Sequence, residues 1–224
     1  QFFDVLVGYF RTSGFHRLYQ ELESVDKIRI LVGLSVDKAT YDGIQEAQQY
    51  EFDLDSHKAT KESATTATIK ELEESEDNYK VELGIKKFIE FLKKDCSDIE
   101  EDIAKGGSGK KLEFRVYPTR NIHAKVYVTR YKGEIASIQK GSVITGSSNF
   151  SESGFVANRE FNVELKSESD LDFALKQFED LWEHSVDISK DYIDTIEKKT
   201  WLSDDITPYE LYLKMLYEYF KEDI

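Results

Sequence analysis

The chain has 224 residues, 40% hydrophobic and 33% charged, with a formal net charge of −14. That length suits one full core, and a balance this acidic excludes a binder that coats phosphate with a uniformly basic surface. A single cysteine excludes an internal disulfide framework and a four-cysteine zinc site, and no apolar run approaches the roughly 20 residues that span a bilayer.

In chain order, Phe2–Phe10 reads as a strand running into a turn at Gly8-Tyr9-Phe10. Ser13 is placed to cap a helix over Gly14–Glu23, with Phe15, Leu18, Tyr19 and Leu22 at helical spacing. Lys27–Leu34 is a β-rich apolar run suited to a buried strand. Thr40–Asp77 is polar; it predicts a helix near Asp42–Tyr50 and a solvated helical stretch after it. Tyr79–Cys96 repeats Val81, Ile85, Phe88, Ile89 and Leu92 as one helix face. The glycine-rich Lys105–Lys110 break lacks P-loop spacing and predicts a hairpin or linker.

Three or four strands are then predicted, at Leu112–Tyr117, His123–Arg130, Glu134–Gln139 and Gly141–Gly146. Another follows at Phe161–Lys166, after a small helical or looped segment. Helices are predicted near Asp170–Glu183, Ser189–Lys198 and Pro208–Phe220. Short strands flanked by helices predict an α/β or α+β fold around one sheet. With no leader-like segment, a soluble cytoplasmic protein is expected. A chain that opens on Gln1 is consistent with a piece of something longer. From Lys105 to Lys140 there are nine Lys or Arg against two acids, Glu113 and Glu134. Such a stretch can draw phosphate to one cleft of an acidic protein, because fields act locally.

The chemistry concentrates in two places. In Asn121-Ile-His123-Ala-Lys125-Val-Tyr127, strand alternation sets His123, Lys125 and Tyr127 on one face, with Ala124, Val126 and Val128 turned to the core. An imidazole beside an ammonium suits a nucleophile next to a cation for the nonbridging oxygens of a phosphodiester. Downstream come Thr145-Gly146-Ser147-Ser148-Asn149 and Asn158-Arg159-Glu160. Small hydroxyls and an amide can donate to phosphate without bulk, and a carboxylate near an imidazole fixes its tautomer. His16, His57, His184 and Cys96 show no metal-ligand spacing. The stripe Tyr209, Tyr212, Leu213, Leu216, Tyr217 and Phe220 reads as core or a docking face.

In order, H-A-K (123–125), G-S-S-N (146–149) and N-R-E (158–160) resemble the signature of the phospholipase D superfamily, in its nuclease-like branch. The resemblance implies a mixed sheet flanked by helices on both faces, with extra C-terminal helices. It implies His123 as the nucleophile that forms a phosphohistidine, and Lys125 and Asn149 as holders of the phosphate. Ser147 and Ser148 would assist, and Glu160 would orient the histidine. It implies no metal and no cofactor. The flanks, Asp4-Val-Leu-Val-Gly8-Tyr9-Phe10 and Asp205-Ile-Thr-Pro208-Tyr209, resemble the phospholipase-D-like module of bacterial Snf-type helicases. That implies a domain over 1–200 and a helical extension over 201–224 leading toward a motor, with ATP used only there. Tyr9, Arg11 and Arg130 are candidates for the substrate cleft.

One position departs from the signature: the aspartate five residues after the lysine falls on Arg130. With one H-x-K and no internal repeat, a two-histidine site needs a partner, most simply a second copy across a twofold axis. The reading is a metal-independent phosphodiesterase acting on DNA or another nucleic acid, with no membrane partner. The competing reading is a module that grips nucleic acid without cutting it.

Overall fold

The computed structural model describes residues 1–33, 57–66, 79–118 and 122–199, with 212, 213, 216 and 219 in the last stretch. The helix expected at Asp42–Tyr50 and most of Pro208–Phe220 lie outside the described residues. Seven strands form one sheet in the order β6-β5-β4-β1-β2-β3-β7. They are β1 (Phe2–Val7), β2 (Lys27–Gly33), β3 (Leu112–Tyr117), β4 (Lys125–Arg130), β5 (Gly141–Gly146), β6 (Asn162–Leu165) and β7 (Val186–Asp187). β1, β2 and β3 run parallel, while β4, β5, β6 and β7 join antiparallel.

Helices cover both faces, the mixed α/β layering that the pattern predicted. On one side lie α1 (Thr12–Leu22), α2 (57–66), α3 (Tyr79–Lys93) and, after a short α4 (Ile99–Ala104), α7 (Ser189–Lys199). Phe10, Phe15, Phe88, Phe114, Phe150 and Tyr192 meet there at ring-centroid distances from 5.0 to 5.4 Å. On the other side, α6 (Glu168–Glu183) sets Phe178 and Trp182 against Leu6 and Leu31. Because both faces are packed, the apolar run of β2 is continuous: Ile28 and Ile30 enter one core, Leu31 the other.

Several boundaries differ from expectation for identifiable reasons. Glu134–Gln139 is not a strand but a short helix, α5 (Glu134–Ile138). Arg130 already pairs with Gly141, and the Tyr131 N–H donates to the Lys140 carbonyl at 2.8 Å, so the residues between must turn back. Ser13 does not cap α1; Arg11 holds the cap position without a side-chain bond, and Ser13 Oγ accepts from Glu152 N–H at 3.4 Å. α2 is not simply solvated, since Thr60 and Ala64 are buried and Ala64 joins the main core. The Lys105–Lys110 break is a turn with Gly106 and Gly109 at positive φ. Its amides are taken by carboxylates, Gly109 N–H donating to Asp102 at 2.8 Å and Ser108 N–H to Glu113 at 3.1 Å.

The basic stretch is largely consumed by ion pairs. Lys105 pairs with Glu101, Lys110 with Asp95, Arg115 with Glu113, Arg130 with Asp4, Lys132 with Asp98 and Lys140 with Glu168. Lys111 instead donates to the carbonyls of Glu23 and Val25 at 2.8 and 2.7 Å. Buried Lys27 donates to Asp102 at 2.7 Å and to Glu113. Burial pushes the Glu113 carboxyl up, but the Lys27 bond and charge outweigh it and hold the group below its ordinary range. A depressed acid stabilises the fold above its unfolded pKa of about 4.3, and that contribution is lost as pH falls through the lower folded value. Stability should therefore decline progressively below about pH 4. Glu113→Gln should flatten that acid limb in denaturant titrations at stepped pH, and an identical limb in the variant contradicts this assignment.

Candidate active site

One end of the sheet gathers the motif residues. β1 ends at Val7 opposite Lys125, Val126 pairs with Thr145, and Gly146 pairs with Asn162. Lys125, Gly146 and Asn162 thus stand in a row across β4, β5 and β6, about 4.8 Å from strand to strand. His123 lies just outside β4, but the chain there stays extended because Gly8 N–H donates to the Ala124 carbonyl at 3.0 Å. This approach needs a glycine. A Cβ at Gly8 would lie 2.5 Å from the Ile122 carbonyl oxygen and 3.3 Å from His123 Cα.

His123 is exposed and Lys125 is buried. Lys125 Nζ donates to the His123 carbonyl at 3.0 Å and lies 3.4 and 3.5 Å from the two ring nitrogens. Ammonium and imidazole therefore stand side by side, with the imidazole on the solvent side. Tyr127 is buried in the main core, so the face shared by Lys125 and Tyr127 is packed rather than wet as it leaves the site.

The loop after β5 is held from below and from the side. Tyr127 donates its phenol to the Ser148 carbonyl at 2.8 Å. Burial, and after it the charge of Glu160, push that phenol up, so it stays a donor. Asn162 grips Ser148 twice, Nδ2 donating to Oγ at 2.7 Å and Oδ1 accepting from the amide at 3.4 Å. Phe10 bridges Phe150 in parallel, and Arg11 N–H donates to the Phe150 carbonyl at 2.8 Å. A π-helical turn, Ser153–Ala157, follows, and its Gly154 lies so close to the Asn149 carbonyl that a side chain there would collide. So braced, the loop presents Asn149, whose Oδ1 is buried with no hydrogen-bond partner among the described residues. A buried amide oxygen left without a partner is uncommon and costs stability.

Glu160 stands two residues before Asn162 at the same end. Its carboxylate accepts from Asn158 Nδ2 at 3.4 Å and, with Tyr127, Phe155 and Asn162, lines a cleft of about 430 Å³. Among the described residues no hydrogen bond joins it to His123. Arg11, Lys125 and Arg159 also lie at this end, and none of them has a carboxylate partner within ion-pair distance among the described residues.

The chain matches the family model described as cardiolipin synthase, PLD-like domain, over residues 3–182. It belongs to the phospholipase-D-like family. A solved structure similar to it is phosphatidylserine synthase from Haemophilus influenzae Rd KW20, with 13% identity and a TM-score of 0.40, covering 99% of this chain. This chain spans only 39% of that protein's length. No curated protein matches by sequence. Membership supports phosphodiester chemistry in general terms, on the mixed sheet described above.

Within that family frame, two expected roles change. Ser148 is buried and clamped by Asn162, so its hydroxyl anchors the loop instead of facing a phosphate. Ser147 stays exposed; its Oγ accepts from Phe161 N–H at 3.0 Å, leaving its own proton to donate outward. Arg130 is not in the cleft. It pairs across from Phe2 at the opposite end of β4, about 17 Å along the strand from Lys125. There its guanidinium lies 2.9 Å from buried Asp4, which also binds Arg29 at 2.6 Å. The position that carries aspartate in the family signature is thus remote from the histidine, and Asp4 supplies a carboxylate beside it.

Tyr9 lies between Gly8, whose N–H meets the Ala124 carbonyl, and Phe10, which bridges Phe150, and Arg11 Nε donates to the Tyr9 hydroxyl. Sequence reasoning missed the bracing parts played by Tyr127 and Asn162. The period-2 spacing of Tyr127 from Lys125 was the available signal for the first, and only the β5–β6 register discloses the second. Restoring the family residue by Arg130→Asp should set a second carboxylate beside Asp4. Thermal unfolding should then show a loss of at least about 2 kcal/mol, and a variant as stable as the parent contradicts this placement.

Proposed function

We propose that this chain is a metal-independent phosphodiesterase acting on a nucleic-acid backbone, and that two copies complete one site. The observation that carries the reading is the exposed His123 ring beside Lys125 Nζ, at the same end of the sheet as the loop that holds Asn149. His123 would attack phosphorus, forming an N–P bond as the P–O bond to the leaving group breaks. Lys125, the Asn149 amide and the Ser147 hydroxyl would share the charge on the nonbridging oxygens. His123 of a second copy would protonate the leaving oxygen and then take a proton from water. That water displaces the phosphohistidine and restores the first imidazole. Glu160 would reach the imidazole only in that assembled state.

A non-cutting grip on nucleic acid is the competing reading, motivated by Arg130 in the aspartate position. Its remoteness from His123 weakens that motive. A lipid phosphodiester is the other competitor, since the family description names cardiolipin synthase. No helix among the described residues is long and apolar enough to cross a membrane. The resemblance of the flanks is what supports a role in a helicase-linked DNA-processing or restriction system, in which any ATP use would belong to a motor domain.

Cleavage of DNA by the wild type in EDTA should fall at least about a thousandfold in His123→Ala, with the dimer intact in analytical ultracentrifugation. Cleavage by a chain that stays monomeric at high concentration would sink the two-copy site. Full activity in the variant would sink the nucleophile.

A further inference from the structure

Phe161 directly follows Glu160 and is 78% exposed. Its backbone is not free to move. Its N–H donates to Ser147 Oγ at 3.0 Å, and its carbonyl accepts from Ser147 N–H at 3.1 Å. The fold thus ties the backbone that carries this bare ring to the loop after β5, against the cost of leaving the ring in water. Tyr9 is a second exposed ring at the same end, 39% exposed, with the Arg11 guanidinium 5.1 Å from its centroid. Tyr9 follows β1 and Phe161 precedes β6, so three strand spacings, about 14 Å, separate them. His123, Lys125 and Ser147 lie between. Each ring also has an arginine close by in sequence, Arg11 and Arg159, with no carboxylate within ion-pair distance among the described residues.

We propose that Tyr9 and Phe161 are base-stacking side chains on either side of the phosphate pocket, which makes the substrate single-stranded nucleic acid. This rests on the nucleic-acid reading above and sharpens it. Every base has a π-face, so paired ring-and-arginine platforms hold a strand without reading its sequence. In a duplex the base faces are covered by their neighbours, and neither ring can reach one without extrusion. A lipid would offer a charged headgroup and flexible chains, for which isolated rings on both flanks of the phosphate provide no continuous apolar channel.

Binding separates these cases without turnover, using the full chain with His123→Ala as background and a fluorescent oligothymidylate as probe. Adding Phe161→Ala should raise Kd for the single strand about tenfold or more, and Tyr9→Ala should do the same. Phe161→Trp should retain affinity while Phe161→Leu does not, a contrast that apolar contact alone does not produce. A hairpin duplex should bind more weakly and respond little to either substitution. Leu serving as well as Phe overturns the proposal, as do equal affinity for duplex and failure to bind the oligonucleotide. Dissociation of a dimer by Phe161→Ala at unchanged oligonucleotide affinity overturns it too, by assigning the ring to an interface between copies. So does a preference for vesicles of anionic phospholipid over the oligonucleotide. If the wild type cuts nothing in EDTA yet binding falls with both substitutions, stacking stands and the hydrolase reading fails.

Discussion

The antiparallel register joining β1, β4, β5 and β6 is the constraint on which the site depends. Side chains alternate along each strand, so a slip of one residue would turn Lys125 to the opposite face of the sheet and part it from the Asn149 loop. Two close approaches lock the register at the working end. Gly8 lets β1 touch the backbone of residues 122 and 123, and Gly154 lets the π-helical turn press on Asn149. Aromatic packing of Phe10 on Phe150, with centroids 5.1 Å apart, ties the same strands from within the core. The site residues are thereby positioned by rigid elements, although His123 and Asn149 both sit just past strand ends.

Charge is divided by position. At the end of the sheet away from His123, cations and carboxylates neutralise one another in buried networks around Asp4 and around Glu113. Arg29 and Arg115 also lie over the Trp182 ring, at 5.3 and 4.4 Å. Buried pairs of this kind contribute little net stability as pairs, yet losing one member strands the rest at a cost of about 3–5 kcal/mol. At the working end, Arg11, Lys125 and Arg159 have no carboxylate within ion-pair distance among the described residues. A chain with a net charge of −14 can therefore still offer one locally cationic corner to a phosphodiester.

Much of this was legible in the sequence. Strands such as Leu112–Tyr117 and Gly141–Gly146 carry strong β-rich patterns and turn signals, and the structure keeps those bounds. The motif residues are local in sequence and land at one end of the sheet because each lies at a strand terminus. What was illegible depends on partners distant in sequence. Charge spacing alone made Lys105–Lys140 look like a basic patch, whereas acids from Asp4 to Glu168 take up most of it. Ser148 and Ser147 are chemically alike, and only Asn162 on the neighbouring strand separates an anchor from a candidate phosphate donor. Glu134–Ile138 looked β-like until the pairing of Arg130 with Gly141 required a reversal there.

Nucleophilic attack by His123 is tested by trapping the covalent intermediate it would form. Turnover of an oligonucleotide should be quenched into alkali, in which an N–P bond to histidine survives, and the digested protein read by mass spectrometry. The expected result is a nucleotidyl or phosphoryl mass on the peptide containing His123. Cleavage that proceeds with an adduct on another residue would contradict it.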